Sequence, residues 1–174
     1  MVKDIVLIGF KGSGKTVIGR MLAKRLKKTF VDVDEVIEIL YEQRTSQRHT
    51  VRSIFESKGE HYFRELEHEA LVEVATGKEM VVSTGGGAVM DERNGEIIKK
   101  LGTVVYLDVD KALLLERSMQ KSLAAIYDKK HPEASFKVLY EQRKDIYTAL
   151  ADITLGITNE EKSVIVDQIM EKVK

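Results

Sequence analysis

A glycine-rich stretch at residues 9–16, Gly-Phe-Lys-Gly-Ser-Gly-Lys-Thr, has the residue types and spacing of a phosphate-binding loop. It follows a short β-branched run and precedes apolar residues at helical spacing, so it lies where a strand turns into a helix. Where side chains are missing, backbone N–H groups and the helix N-terminus can approach an anion closely. The pattern therefore predicts a nucleoside triphosphate site formed by Gly12, Ser13, Gly14, Lys15 and Thr16. Lys15 would bring positive charge to the β- and γ-phosphates, and the Thr16 hydroxyl would ligate Mg²⁺.

Two carboxylates end the next apolar segment, residues 29–34, which we predict to be a second strand. Asp32 and Asp34 have the same parity, so they project to one side of the sheet if the strand continues to Asp34. Two interpretations remain open on spacing alone. Asp34 caps the helix that starts at Glu35, or the two carboxylates serve Mg²⁺ and a substrate hydroxyl.

Three consecutive glycines, Gly85, Gly86 and Gly87, follow a predicted third strand at residues 79–84. Their cost in chain entropy favours a loop whose backbone closely approaches a ligand. P-loop enzymes often carry an aspartate at this strand end for the metal, but Ser83 and Thr84 stand here. We therefore expect Asp32 to provide the metal carboxylate.

Charged residues recur on the predicted helices without an unambiguous role. Arg64 and Glu67 are i, i+3 neighbours, and their spacing by itself favours a surface ion-pair ladder over a substrate-binding arginine. His68 has no partner at metal-ligand spacing, so we expect it to be solvated. The polar stretch 42–50, with Arg44, Arg48, His49 and Arg52 within or beside it, is expected to be a solvated loop; the alternative is a phosphate-contacting role. The basic segment 119–134 is either a lid over phosphates or an exposed loop.

Composition limits the classes of function. The 174 residues fit one domain, and strand and helix signals alternate, which predicts an α/β protein with a parallel, helix-covered sheet. Lys+Arg and Asp+Glu both number 28, so there is no overall positive field for nucleic acid or an anionic membrane. The absence of cysteine and of any run of membrane-spanning length leads us to expect a cytoplasmic protein.

Taken in order, these motifs resemble those of the shikimate kinase family, small P-loop kinases of aromatic amino-acid biosynthesis. The resemblance covers nearly the whole chain, and its motifs together are far more specific than a phosphate loop alone. The matching segments are residues 9–16 (phosphate loop), 32–34 (D-x-D), 63–67 (F-R-x-x-E), 84–87 (triple glycine), 114–117 (an arginine beside adenine), 143–147 (R-x-x-x-Y), and 151–153 with 158–159.

The resemblance implies a three-layer P-loop kinase fold, with a five-stranded parallel sheet of order 2-3-1-4-5 flanked by helices. It implies a single domain over residues 1–174, with a shikimate-binding helical region at about 34–75 and a lid at about 118–133. The implied reaction transfers the γ-phosphate of ATP to the 3-hydroxyl of shikimate, with Mg²⁺ as cofactor. We expect a monomer whose partners are ATP and shikimate, not nucleic acid or membrane.

The resemblance also implies a role for individual residues. Arg64 and Arg143 would hold the shikimate carboxylate, and Glu67 would orient Arg64. Asp34 would bind the hydroxyls and accept the proton of the attacking one, while Gly85, Gly86 and Gly87 would line the same pocket. The remaining implied positions are Arg117, Thr158 and Asn159 for the nucleotide, and Thr16 and Asp32 for the metal.

Two departures from the family pattern keep other functions open. The lid pattern Arg-Pro-Leu-Leu is replaced by Lys-Ser-Leu-Ala at residues 121–124, so Lys121 would be the catalytic lid cation without the guanidinium fork. Segment 42–52 is several residues longer than is usual. The alternatives are a kinase of another hydroxylated metabolite, such as gluconate or a nucleotide, and an ATP-binding regulator with little catalysis.

Overall fold

The computed structural model describes residues 2–120 and 130–174, in which strands and helices alternate. The strands are β1 (Ile5–Ile8), β2 (Thr29–Asp32), β3 (Met80–Ser83), β4 (Thr103–Val109) and β5 (Ile153–Ile157). The helices are α1 (Lys15–Leu26), α2 (Val33–Thr45), α3 (Val51–Val74), α4 (Glu92–Leu101), α5 (Lys111–Gln120), α6 (Pro132–Leu150) and α7 (Lys162–Lys172), with a 3₁₀ turn at Ala88–Met90.

The five strands form one parallel sheet in the order β2-β3-β1-β4-β5, which confirms the predicted order. Every residue of the central strand β1 is buried, because helices cover both faces of the sheet. In the register of the sheet, Ser83 pairs with Leu7 on one side and with Asp32 on the other. The phosphate loop, the paired aspartates and the glycine triplet therefore begin side by side at the carboxyl ends of three neighbouring strands, where open α/β sheets bind ligands.

Strand β2 ends two residues earlier than the sequence suggested. Asp32 is its last residue, and Asp34 lies in the first turn of α2. The Asp32 side chain caps this helix by accepting a hydrogen bond from the Asp34 N–H at 3.2 Å. The prediction of a strand through Asp34 is therefore wrong, and the capping residue is Asp32 instead of Asp34.

Helix α2 also continues into the stretch that was predicted to be a loop, and the loop is therefore shorter than expected. Tyr41 is buried and its carbonyl accepts from the Thr45 hydroxyl at 2.8 Å, so the last turn is held in place. Ser46 then adopts a left-handed conformation with φ of 57° and ends the helix. Only residues 46–50 form the loop before α3, and the predicted loop at 42–50 is wrong for its first four residues.

Helix α3 is bent at Gly59, where φ is 81° and ψ is 169°. Beyond the bend it packs against α2, which brings Arg64 of α3 near Asp34 of α2. None of the helices in residues 2–120 and 130–174 is both long and apolar enough to cross a membrane. The catalytic prediction for Lys121 and most of the predicted lid lie outside the described residues.

Candidate active site

The phosphate loop connects β1 to α1 and is held together by its own lysine. The Lys15 ammonium donates to the carbonyl oxygens of Gly9 at 2.7 Å and Phe10 at 2.9 Å. Gly12 and Gly14 have φ of 90° and 92°, a conformation that other residues adopt only with strain. The loop thus requires glycine at both positions, as its spacing predicts, and Lys15 lies beneath it.

Burial also changes the protonation of this lysine. Only 8% of Lys15 is exposed, and this desolvation lowers the pKa of its ammonium to about 8, against the opposing effect of Asp34 and Asp32. At neutral pH most of the lysine is still charged, so it can attract phosphate.

Asp32 and Thr16 meet beside the loop. The Thr16 hydroxyl donates to Asp32 Oδ2 at 2.9 Å, and Asp32 is almost fully buried. Two hard oxygen donors at the end of a phosphate loop suit Mg²⁺, which keeps waters and takes further ligands from phosphates. Within residues 2–120 and 130–174, no cluster of three or more histidine, cysteine or acidic side chains could hold a metal. Thr16 and Asp32 provide two oxygen ligands, so a bound Mg²⁺ would take its other ligands from waters and phosphates.

Asp34 faces the same loop from the first turn of α2. Burial, followed by the nearby Asp32 carboxylate, raises the pKa of Asp34 to about 6, although Lys15 acts in the opposite direction. Such a carboxylate is ionised at neutral pH and is a better proton acceptor than an ordinary aspartate. It is therefore poised to act as a base.

The Arg64–Glu67 pair on α3 is not a surface ladder. Arg64 Nη1 donates to Glu67 Oε2 at 2.7 Å, and only 1% of the Glu67 side chain is exposed, against 19% of the Arg64 side chain. Burial raises the pKa of Glu67, which the Arg64 guanidinium partly offsets. The surface interpretation is therefore wrong for Glu67, because this face of α3 turns inward. Arg64 Nη2 also lies 3.5 Å from Oε1 of the exposed Glu60, and this longer contact leaves part of the guanidinium available.

The glycine triplet is explained by close approach and not by unusual backbone angles, since none of the three has a φ in the left-handed region. A Cβ on Gly85 would lie 2.9 Å from Glu67 Oε1, and one on Gly87 would lie 2.6 Å from Arg64 Nη1. A Cβ on Gly86 would lie 3.1 Å from the backbone nitrogen of Lys11. Each glycine thus makes room for a different neighbour, and the triplet fits between α3 and the phosphate loop.

Helix α6 fixes the same loop from the opposite side. Arg143 Nη1 donates to the Gly86 carbonyl at 3.3 Å, and the Tyr147 hydroxyl donates to the same oxygen. Arg143 is only 6% exposed, and its Nε has no hydrogen-bond partner within the described residues. A buried donor without a partner is costly, so the guanidinium has capacity for an anion.

Two adjoining cavities lie around these residues. The larger, about 560 Å³, surrounds the phosphate loop, Thr16, Asp32 and Arg117, and we call it the nucleotide cavity. The smaller, about 140 Å³, we call the acceptor cavity. Its charged lining residues are Lys11, Asp34, Arg52, Arg64, Glu67 and Arg143, and its aromatic ones are Phe10, Phe55 and Phe63. Four cations and two carboxylates around a small cavity favour a small acid.

Of the residues predicted to bind the nucleotide near its base, only some line the nucleotide cavity. Arg117 lines the nucleotide cavity and donates to the Gly12 carbonyl at 3.1 Å. Thr158 instead binds the Glu160 carboxylate through its N–H at 2.8 Å, and Glu160 and Lys162 form the cavity wall beyond β5. Thr158 and Asn159 are not part of that wall. Their nucleotide role stays a prediction, and sequence reasoning missed Glu160, Lys162 and Lys11.

The two shifted pKa values predict a bell-shaped dependence of kcat/KM on pH. Activity should rise as Asp34 loses its proton near pH 6 and fall as Lys15 loses its proton near pH 8. A pH series for the wild type checks both limbs. In Lys15→Arg, whose guanidinium stays charged, the alkaline limb should vanish while the acidic limb remains. An alkaline limb unchanged in that variant would show that another group causes it.

Alanine substitutions in the glycine triplet should affect the KM values for the acceptor and for ATP differently. Gly87→Ala displaces the Arg64 guanidinium, so the KM for the acceptor should rise about 10- to 100-fold with little change in the KM for ATP. Gly86→Ala presses on the phosphate-loop backbone, so both KM values should rise. Steady-state kinetics of both variants checks this, with Gly156→Ala as control because a Cβ there meets nothing within 4 Å. Equal effects of Gly87→Ala on both substrates would contradict the placement.

The parallel sheet, the phosphate loop and the adjoining acceptor cavity define the class of protein as an ATP-dependent P-loop kinase. The family model described as shikimate kinase matches residues 11–174, and the chain belongs to the shikimate kinase family. A curated shikimate kinase from Sulfurihydrogenibium sp. is 38% identical over 99% of both chains. The one from Persephonella marina is 36% identical over 99% of this chain and 100% of its own.

A solved structure agrees with the sequence comparisons. The shikimate kinase from Acinetobacter baumannii in complex with shikimate is 32% identical, with a TM-score of 0.89 over 99% of this chain and 93% of that chain. The sequence comparisons and the structural comparison therefore indicate the same family over essentially the whole length of the chain.

Proposed function

We propose that this protein transfers the γ-phosphate of ATP to the 3-hydroxyl of shikimate and that the acceptor cavity holds shikimate. The observation that carries the proposal is the convergence of Arg64 and Arg143 on a small cavity that shares Asp34 with the nucleotide cavity. Shikimate is a carboxylate that carries hydroxyls, so it needs cations at one end and an acceptor at the other. The family resemblance and the solved relative bound to shikimate support the same choice.

The carboxylate would be bound by the two arginines. Arg64 is oriented by buried Glu67, and Arg143 by the Gly86 carbonyl, so both guanidinium groups are fixed before the acid enters. The unpartnered Nε of Arg143 and the partly exposed Arg64 leave donors free for an anion. The rings of Phe55 and Phe63 have their centroids 5.5 Å apart and line the acceptor cavity. These two rings would cover the apolar ring of the acid.

Asp34 would orient the attacking hydroxyl and accept its proton. Phosphoryl transfer passes through a loose transition state, so proton removal is late and strong basicity is unnecessary. A carboxylate with a pKa near 6 is ionised at neutral pH and suits this task. Lys15, at the base of the phosphate loop, would neutralise charge on the β- and γ-phosphates.

Mg²⁺ fits the donors that Thr16 and Asp32 provide, because both are hard oxygen ligands already in contact at 2.9 Å. When bound with ATP, it would neutralise charge on the phosphates. Arg117 would contact the nucleotide near Gly12, where its side chain already lies. The cytoplasmic location, the monomeric state, the single-domain assignment and the lid with Lys121 stay predictions from the sequence.

A coupled assay of ADP release tests the proposal. Purified protein with Mg²⁺ and ATP should release ADP in proportion to shikimate, and much more slowly with no acceptor, gluconate or a nucleoside monophosphate. A better acceptor elsewhere in this panel would make the protein a kinase of another metabolite. No turnover with any acceptor, although ADP stabilises the fold by mass action, would instead support the regulator hypothesis.

A further inference from the structure

The boundary between the two cavities is formed by very few side chains. Residues that line both are Lys11, Asp34, Gly85 and Gly86. The two glycines present only backbone, so Lys11 and Asp34 are the side chains that reach this boundary from the described part of the chain. A phosphoryl group that leaves the nucleotide cavity for the acceptor cavity therefore comes close to these two side chains.

Lys11 is free to contact such a group. Within residues 2–120 and 130–174 its ammonium makes no hydrogen bond or ion pair, whereas the Lys15 ammonium is held by the carbonyls of Gly9 and Phe10. The backbone of Lys11 is fixed because Gly86 packs against its nitrogen, and its φ is not in the left-handed region. The residue therefore combines a fixed backbone with an exposed, unpartnered cation.

The charges around Lys11 favour an anion that the protein itself does not supply. Arg52 lines the same acceptor cavity as Lys11. Burial, and then the positive charge of Arg52, lower the pKa of Lys11, and the Asp34 carboxylate offsets this lowering only in part. The carboxylate that acts on Lys11, Asp34, also interacts with Lys15. Arg52 is already paired with Glu56, whose Oε1 lies 3.0 Å from its Nε, so of these two cations Lys11 is the one that has no counterion within residues 2–120 and 130–174. Its charge is therefore stabilised when the transferring phosphoryl group reaches it.

We propose that Lys11 is a catalytic residue that binds a non-bridging oxygen of the phosphoryl group during transfer. The bond from the γ-phosphorus to the oxygen shared with the β-phosphate breaks, and a bond from that phosphorus to the acceptor hydroxyl oxygen forms. The hydroxyl proton passes to Asp34, ADP leaves, and Lys11 stays protonated throughout. This inference rests on the proposed kinase function, because it assigns a residue to that reaction.

Replacement of Lys11 by an uncharged residue of similar length tests this role. In Lys11→Met, kcat should fall about 10- to 100-fold, while the KM values for ATP and shikimate stay within about threefold, because the contact forms only in the transition state. Lys11→Arg keeps the charge and should recover most of kcat. Lys24→Met is the matched control, since Lys24 is exposed and lines neither cavity.

A transition-state mimic gives a second measurement that does not depend on turnover. ADP with tetrafluoroaluminate, Mg²⁺ and shikimate should bind Lys11→Met at least about tenfold more weakly than the wild type, while ADP alone binds equally. Thermal unfolding of the variants in the absence of ligand shows whether they fold.

The outcomes distinguish this inference from the proposed function. If the wild type uses shikimate and Lys11→Met keeps the wild-type kcat, the role of Lys11 is refuted and the kinase function stands. A change confined to the KM for ATP also refutes it, because Lys11 would then bind the ground state. If the wild type phosphorylates another acceptor instead, the kcat values of the wild type and Lys11→Met with that acceptor test the role of Lys11 in the same way. If no acceptor is turned over, both proposals are refuted.

Discussion

Asp34→Asn should abolish nearly all phosphoryl transfer and at the same time make the protein more stable. The amide can still hydrogen-bond a hydroxyl but cannot accept its proton, so kcat should fall by about 10²- to 10⁴-fold. The KM for ATP should change little, because Asp34 faces the phosphate loop without ligating the metal in our assignment. Steady-state kinetics measures both values.

The gain in stability follows from the raised pKa of this carboxyl. Its pKa is 3.8 in the unfolded chain and about 6 in the folded one, so the folded state binds more protons between these values. The free energy of unfolding therefore decreases as the pH rises through that window, and near neutral pH the full penalty is present. Removing the charge should raise the free energy of unfolding by about 1–3 kcal/mol near neutral pH, and hardly at all below pH 4.

Denaturant titrations of Asp34→Asn at acidic and neutral pH check this prediction. Asp145→Asn is the matched control, because Asp145 lies exposed on α6 and lines neither cavity. It should change neither kcat nor the pH dependence of stability. A variant of Asp34 that loses stability at neutral pH, or one that retains wild-type kcat, would contradict the role assigned to this carboxylate.

Arg64→Ala should weaken the acceptor strongly and leave the nucleotide almost unaffected. Arg64 lines only the acceptor cavity, and removal of one partner of a partly desolvated charge pair costs about 2–5 kcal/mol, which corresponds to at least a 30-fold rise in the KM for shikimate. The dissociation constant for ADP should stay within about twofold of the wild type. Steady-state kinetics and calorimetric titration with ADP measure the two quantities.

A double variant separates recognition from folding. Arg64→Ala also leaves Glu67 buried without its partner, which by itself destabilises the fold. In Arg64→Ala/Glu67→Gln the buried charge is gone, so much of the stability should return while shikimate binding stays weak. If the KM for shikimate recovers together with stability, Arg64 acts through the fold and does not bind the acid.

The strands and the phosphate loop could be predicted because each depends on local sequence, whereas the strand order came from the family resemblance. Residues 9–16 specify a loop whose backbone angles allow only glycine at Gly12 and Gly14, and β-branched runs mark the buried strands. The end of β2 could not be predicted, since Asp32 and Asp34 can both continue a strand or begin a helix. The Asp32 cap, which forms only when the helix does, decides between them.

Burial is what the sequence could not show. The spacing of Arg64 and Glu67 is the same on a solvated helix and on one that faces a cavity, and only the packing of α3 against its neighbours makes Glu67 inaccessible. His68 gives a second example. It was expected to be solvated, but its Nδ1 lies 2.8 Å from Oδ1 of the buried Asn94, whose amide donates to the Ala88 carbonyl just after the glycine triplet.

Lys11 was missed for a different reason. The phosphate-loop pattern leaves this position variable, so nothing in the motif marks it. Its importance depends on the glycine triplet, which comes more than 70 residues later and packs against its backbone nitrogen. Contacts between segments so distant along the chain create the boundary between the two cavities.

The most direct test of the central claim is the identity of the product. After incubation of the protein with Mg²⁺, ATP and shikimate, phosphorus NMR should show one new phosphate monoester that couples to the proton on carbon 3 of shikimate, in an amount equal to the ADP formed. A phosphate on another hydroxyl would contradict the proposed orientation of the acid by Arg64, Arg143 and Asp34. ADP and inorganic phosphate without any monoester would contradict the assignment of shikimate as the acceptor.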